Sequence, residues 1–418
     1  MAGLSVNNEL HKFLPCVPNS LWHKAHWNAA LAFGFPTNKE EDWTYTSLDA
    51  FKALKLTLPK ETYFHDEHVA ALCAKHWQQD GYRLVIVNGK LSIRLSDWIP
   101  KVDVHSVEKH FDDLAFAHEQ AIRAEIFQTL TNATAQGGLI ITIPDNVQLD
   151  KPIHILHYHS GSIGEVSSVR HHLTLGQLSS CQIIEHHISD PNACGVTLSR
   201  LTSDIGNNAH FEHVKLIEEG EEQHHFGHND IRVGRDATAS SHVFMLSGKL
   251  IRHHTSSLLS APGSHIQMNS LALPSNGDQF DSRTYLHHHA AHCSSQQLHK
   301  VIARNEACGV FDGMIYVSPD ALKTDGQMDN HNLLLSDRAR INSRPKLEIY
   351  ADDVKCSHGA TTGQIDPQQI FYLQARGINK AQAEKIITHA FAIDVCEKIS
   401  HVGVRQYLSN LVNKKLEA

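Results

Sequence analysis

The 418-residue sequence predicts a mainly β protein: a solenoid core over residues 138–363, between a mostly helical N-terminal domain, 1–137, and a helical C-terminal domain, 364–418. Three observations predict it. Apolar residues recur at helical spacing near both ends of the chain. From about residue 138 that period vanishes, and turn-rich spots recur roughly every 30 residues. Between them lie short segments such as HFEHVKLI, SSHVFML, IQMNSLAL and GMIYV, whose branched and aromatic residues suit a pleated surface.

In chain order, LWHKAHWNAALAFGF (21–35) and AFAHEQAIRAEIFQTLTNA (115–133) read as helices. YRLVIVNGKLSIRL (82–95) reads as a hairpin, two alternating runs joined by Asn88-Gly89, a dipeptide suited to a tight two-residue turn. It is scaffold on any reading. Turn-rich spots then fall at Asp145, Gly176, Gly206, Gly234, Gly263, Asn305 and Asp337, steps of about 31, 30, 28, 29, 42 and 32 residues. A second turn falls midway through each unit, so one unit is a coil of strand, corner, strand, corner. Such a coil buries its apolar face only against its neighbours. A two-sheet sandwich also has short strands and regular turns, but its turns come roughly every 8–12 residues, and the spacing favours the solenoid. The long step predicts an inserted loop holding HHHAAHC (287–293). After Gly363, Asp366-Pro367-Gln368-Gln369 places an acid at an N-cap, proline at N1 and glutamine at N3, and Gly377 is a stop. Asn379 begins a second helix through AEKIITHAFAIDVCEKI, and VRQYLSNLVNKK is a third. So short a helical tail either packs on the solenoid or serves a partner.

With 41% apolar and 20% charged residues the chain is of ordinary globular composition. A net charge of −8 excludes the basic face of a general nucleic-acid binder. No signal-peptide pattern opens the sequence and no run approaches a membrane span, so a cytoplasmic location is expected. The eight cysteines, at 16, 73, 181, 194, 293, 308, 356 and 396, include no C-x-x-C pair, which signals neither a disulfide framework nor a self-contained zinc or cluster site. The 34 histidines stand out; dispersed histidines more commonly replace other polar residues than bind metal.

Chemistry concentrates in YADDVKCSHGATTG, residues 350–363. On a strand, Asp352, Val354, Cys356 and His358 share one face and Asp353, Lys355 and Ser357 the other, so a thiol and an imidazole lie side by side. Thiolate and imidazole are both ligands for iron and zinc. One of each leaves a four-ligand site incomplete. The alternative is a buried thiol beside a hydrogen-bonded histidine, with Asp352-Asp353 forming a corner. The stretch falls in the last coil, whose unpaired strand edges must be capped or joined to another chain. A site shared across that boundary would supply the missing ligands, and a second copy of the chain could pair there as a homodimer. Other candidates are weaker. His224 and His228 are four apart but lie in strand-like sequence without an H-E-x-x-H glutamate, and no phosphate-binding G-x-x-x-x-G-K-[ST] loop or G-x-S-x-G elbow occurs. Cys308 has no basic neighbour to lower its pKa.

The segment KTDGQMDNHNLLLSDRARINSRPKLEIYADDVKCSHGATTGQID (323–366) resembles the signature of the SufB/SufD family of iron-sulfur cluster assembly proteins. GFPTNKEEDWTYTSL (34–48), RHHLTL (170–175), EHVKL (212–216), HHFGHND (224–230) and RTYLHHHAAHCSSQQLHK (283–300) resemble it in the same order. The resemblance implies a parallel β-helix core with helical terminal domains, pairing with a SufB-like paralogue through the cores, and binding of a SufC-like ABC ATPase by the C-terminal helices. It implies a non-catalytic scaffold subunit, ATP hydrolysis residing in SufC. A nascent iron-sulfur cluster, transient and shared with the partner subunit, would sit at the SufB/SufD interface, with His358 as a ligand and Cys356 as an interface thiol. A histidine ligand raises a cluster's potential relative to thiolates alone. SufB carries a scaffold cysteine in the preceding coil; the corresponding SDRARIN here has none, so assembly by this chain alone is not implied.

Two other classes compete. A β-helix polysaccharide-active enzyme would use paired carboxylates, for which Asp312, Asp352 and Asp353 are the candidates. A histidine-rich metal-binding protein would take up several ions without partners.

Overall fold

A computed structural model describes residues 10–57, 66–76, 80–111 and 121–417. Its strands are β1 (Tyr82–Val87), β2 (Lys90–Leu91), β3 (Asp103–Ser106), β4 (Leu139–Ile143), β5 (Ile153–His159), β6 (Val166–Leu175), β7 (Ser180–Ser189), β8 (Val196–Ile205), β9 (His210–Glu218) and β10 (His224–Val233). They continue with β11 (Thr238–Ser247), β12 (Leu250–Leu259), β13 (His265–Ala272), β14 (Gln279–His288), β15 (Ser294–Ala303), β16 (Cys308–Val317), β17 (Asp325–Leu334), β18 (Arg340–Ile349) and β19 (Lys355–Gly363). From β5 onward, odd strands stack parallel in one sheet and even strands in the other, a parallel β-solenoid of about eight turns with helices at both ends. Partners in neighbouring coils are 27 to 31 residues apart in the odd sheet and 26 to 32 in the even one.

In seven successive coils one corner turns through a left-handed residue. Asn146, Leu178, Asn208, Asp236, Gly263, His292 and Lys323 all have φ between 52° and 74°. The amides of six of these corner residues donate to a carbonyl of the next coil: Asn146 to Gln177, Leu178 to Asn207, Asn208 to Arg235, Asp236 to Pro262, His292 to Leu322 and Lys323 to Asp353, at 2.7–3.1 Å. This column corrects the predicted insertion. Residues 287–293 are the end of β14 and an ordinary corner. Asn305 and Asp337 belong to the opposite corner series, so the 42-residue step joined two different columns.

The hairpin forms at Asn88 (φ 45°) and Gly89 (φ 86°), but its second strand is only Lys90–Leu91, and Ile93–Leu95 is a 3-10 turn. β1 also pairs parallel with β5, so the hairpin starts a solenoid sheet. Four N-terminal helices are described: α1 (Leu21–Phe33), α2 (Asp49–Lys52), α3 (Asp66–His76) and α4 (Ile126–Thr134). Of the long helix predicted over 115–133, residues 121–125 are non-helical and 112–120 lie outside the described residues.

Every residue of α4 is buried. Phe127 stacks on Phe226 of β10, ring centres 3.7 Å apart, inside an apolar cluster with Phe35, Trp43 and Phe51. Beside it runs a ladder of charges on the outer face of the even sheet. Arg200 meets Asp230 at 2.8 Å with both side chains at 0% exposure, Arg252 pairs with Asp281, and Arg283 lies 3.3 Å from Asp312. The N-terminal segment caps these cations: the Asp42 carbonyl accepts from Arg252 and Arg283, and Arg252 lies 3.6 Å over the Trp43 ring. A buried charge pair is retained only when each remaining donor finds an acceptor.

The C-terminal helices are α5 (Pro367–Gln374), α6 (Lys380–Cys396) and α7 (Val402–Glu417). Both predicted caps form, Asp366 accepting from Gln368 N–H and Asn379 from Gln382 N–H, and Gly377 stops α5 at φ 86°. Too short for a core of their own, α6 and α7 use the outer face of the odd sheet: Ala392, Val395, Val404, Leu408 and Val412 pack on Ile184, Val214, Leu216, Phe244 and Ile302. Burying each such aliphatic side chain contributes about 1.5–3 kcal/mol. Lys300 of β15 adds an ion pair to Asp394 and a hydrogen bond to the Phe391 carbonyl, both 2.9 Å. α5 buries none of its residues.

Candidate functional site

β18 and β19 close the solenoid as the edge strands of the two sheets. Tyr350–Val354 is the corner between them, so the strand carrying the thiol and imidazole begins at Lys355, later than the reading from Tyr350 had it. Pairing sets Cys356 beside Gly326 and His358 beside Met328. Strand alternation turns both side chains toward the solenoid interior, at its open end. Cys356 is half-buried against the apolar core together with Val354. His358 is exposed.

Burial pushes the Cys356 thiol up from its ordinary pKa, partly countered by the Gly326 backbone hydrogen bond. At neutral pH the isolated chain therefore presents a thiol, and only a metal or a cationic partner makes it the thiolate that binds metal. Among the described residues no third His, Cys, Asp or Glu completes a ligand cluster with the pair. The two carboxylates of the same stretch serve the corner: the Asp353 carbonyl accepts from Lys323 N–H at 2.7 Å, and its carboxylate pairs with the Lys323 ammonium. The geometry is a thiol and an imidazole, two residue types able to bind metal, on an edge strand, two short of a tetrahedral set.

The other candidates separate. His224 and His228 share the outer face of β10, but His224 lies by Phe51, ring centres 6.0 Å apart, and burial holds its pKa down to about 4. His228 sits between Asp230 and Glu125, at 3.3 and 3.6 Å. Burial opposes its proton, and the two carboxylates win, raising its pKa. Cys308 is a half-buried thiol pushed up by burial. Asp312 is held below the usual carboxylate range: burial would raise it, but Arg283, Lys346 and Arg344 surround it. Its carboxylate is paired with these three cations.

Sequence reasoning missed a polar column inside the solenoid. Glu185 meets Lys215 at 3.2 Å and His213 at 3.0 Å, all at 0% exposure. Lys215 also donates to Ser199 at 2.9 Å, and His157 stacks on His187 with centres 4.1 Å apart. The signal was present. Glu185 and Lys215, like His157 and His187, are 30 residues apart and register-paired in adjacent coils.

Fold and site together define a parallel β-solenoid whose last coil carries a thiol and an imidazole on an edge strand. Residues 157–391 match the family model described as SUF system FeS cluster assembly, SufBD core domain. The chain is 39% identical over 395 residues to the iron-sulfur cluster assembly protein SufD of Escherichia coli K12, covering 94% of this chain and 92% of that one. It is 26% identical over 396 residues to an iron-sulfur cluster assembly SufBD family protein of Synechocystis, covering 90% and 87%. The chain belongs to the SufBD family.

Proposed function

We propose that this chain acts in iron-sulfur cluster assembly as a SufD-type scaffold subunit. Its core, residues 138–363, pairs with a SufB-like paralogue through the free edges of β18 and β19. Cys356 and His358 line the joint site, where His358 lends an imidazole to the nascent cluster, which is cargo. The C-terminal domain, 364–418, docks a SufC-like ABC ATPase, which hydrolyses the ATP, and iron is taken up with this subunit's help. In isolation the same edges pair two copies of the chain. The observation that carries the reading is an incomplete ligand pair on an unpaired edge strand: the partner that covers the edge also brings the missing ligands.

The test is the iron and acid-labile sulfide content of the chain co-purified with SufB-like and SufC-like partners, wild type against His358→Ala. Because His358 is exposed, the variant is expected to fold and assemble normally and to lose most of the cluster. Unchanged cluster content at equal complex yield would sink the reading and leave the helices as this subunit's contribution.

A further inference from the structure

Among the described residues, four groups of histidine and carboxylate side chains converge closely enough to hold a metal ion. Three already contain a fixed cation. In His157, His171 and Glu185, Lys215 lies 3.2 Å from the carboxylate. In Glu125, His228 and His254, Arg252 lies 3.8 Å from Glu125. In His76, His186 and Glu218, Lys415 lies 3.5 Å from Glu218. The fourth, His159, His187 and Glu219, is different. Among the described residues the Glu219 carboxylate has only His159 and His225 as ion-pair partners, and Thr197 donates to it at 2.7 Å.

The distances in this group suit a metal better than they suit hydrogen bonds. His159 Nε2 lies 3.4 Å from His187 Nδ1 and 3.5 Å from Glu219 Oε1, beyond the roughly 2.7–3.2 Å of a good hydrogen bond. A tetrahedral ion with bonds of about 2.0–2.1 Å has ligand-to-ligand edges of about 3.3–3.4 Å. One ligand atom from each of the three residues lies within 4.8 Å of the other two, so the third edge is also within reach. His225 Nδ1 sits 3.2 Å from the other Glu219 oxygen, the position of an outer partner that orients a ligating carboxylate.

Charge points the same way. The His159 and Glu219 side chains are 1% and 0% exposed, and His187 is fully buried. Burial holds His159 down at about 4 and His187 well below its ordinary value, with the charges of neighbouring groups secondary. Burial alone would raise Glu219, but His225, His159 and Thr197 keep it ionised. Wholly buried, this carboxylate meets only histidines and the Thr197 hydroxyl among the described residues, and a buried carboxylate is costly unless paired or bound to metal.

We propose that His159, His187 and Glu219 form an internal site for one divalent transition-metal ion. Two imidazoles and one carboxylate select ions of the Fe²⁺, Co²⁺ and Zn²⁺ class. The site is distinct from Cys356 and His358: β7 and β19 are six strand steps apart in the sheet, roughly 29 Å at about 4.8 Å per step. It does not depend on the assembly reading.

The probe is Co²⁺. Full-length protein is expressed in cobalt-supplemented medium, washed with chelator to strip ions from exposed histidines, and read by metal content and visible spectrum. Wild type should retain about one Co²⁺ per chain, with ligand-field bands of low coordination number and a higher Tm than chain grown without cobalt. Glu219→Gln keeps the shape and the Thr197 contact, and should lower retained cobalt at least about tenfold. His253→Gln, a buried interior histidine outside the group, should retain it. Should Glu219→Gln not fold, His187→Gln takes its place with the same expected loss. Wild type retaining no cobalt, or the site variant retaining as much as wild type, overturns the proposal.

Discussion

Leu178 shows how far the fold dictates backbone shape against residue preference. It holds φ 55° in the column of left-handed corners, half-exposed, where its neighbours above and below are Asn146 and Asn208. A branched apolar residue in that region costs about 1–2 kcal/mol, which asparagine largely avoids. Leu178→Asn is expected to raise stability by about 1 kcal/mol, read as a higher denaturant midpoint at unchanged slope; a lower midpoint would mean that the leucine's packing outweighs its strain. His292 and Lys323 occupy the same corner without turn-type chemistry, which is why the sequence reading skipped them and landed on Asn305. The Cys356-His358 juxtaposition was legible because strand parity needs only two residues. The His159, His187 and Glu219 group was not, because it depends on the register of three coils and on a residue, Glu219, just past a strand end.

At the scale of elements, residues with a local signal were readable in advance: the Asn88-Gly89 turn, the Asp366 and Asn379 caps, the Gly377 stop. What local sequence does not carry is the surface an element leans on. α6 and α7 look like any amphipathic pair, and only the odd sheet's outer leucines and valines show where they dock. α5 is the remainder, with Phe371 72% and Tyr372 56% exposed beside an open groove of about 960 Å³ lined by Leu335, Ile365, Ile370 and Ile386. Aromatic side chains of this kind dominate binding energy at interfaces. The double variant Phe371→Asp, Tyr372→Asp should leave the isolated chain's stability within about 0.5 kcal/mol, since both side chains are mostly exposed and the contact given up is the surface stack of Arg376 on Tyr372. It should weaken capture of a SufC-like ATPase at least about tenfold in pull-down titrations. Full capture would move the ATPase contact off α5.

For the whole molecule, buried histidine sets the response to acid. His154, His253, His254, His288 and His299 lie in the fold at 4% exposure or less. Burial, ahead of any neighbouring charge, lowers all five, His288 to about 4 and His299 to about 3. In the unfolded chain each titrates near 6.5. Below that pH the unfolded state binds protons that the folded state refuses, so stability falls as pH falls, at about 1.4 kcal/mol per pH unit for each histidine. His228 has the opposite sign: raised by Asp230 and Glu125 against its burial, it contributes stability that is present in acid and lost as pH rises through its folded value. Asp230 is lowered, since the charges of His228 and Arg200 overcome its burial, and its contribution disappears only below the ordinary aspartate range near pH 4. These five alone, set against His228, account for a loss on the order of 5 kcal/mol between pH 6.5 and 5.5, comparable to the roughly 5–15 kcal/mol that holds a domain folded, and His159, His187 and His224, also lowered by burial, act in the same direction. Urea midpoints should therefore be nearly level from pH 7.5 to 6.5 and drop steeply by 5.5, with at least about four protons taken up on unfolding. A level midpoint to pH 5.5 would mean that these imidazoles accept protons inside the fold, against the burial that lowers each of them.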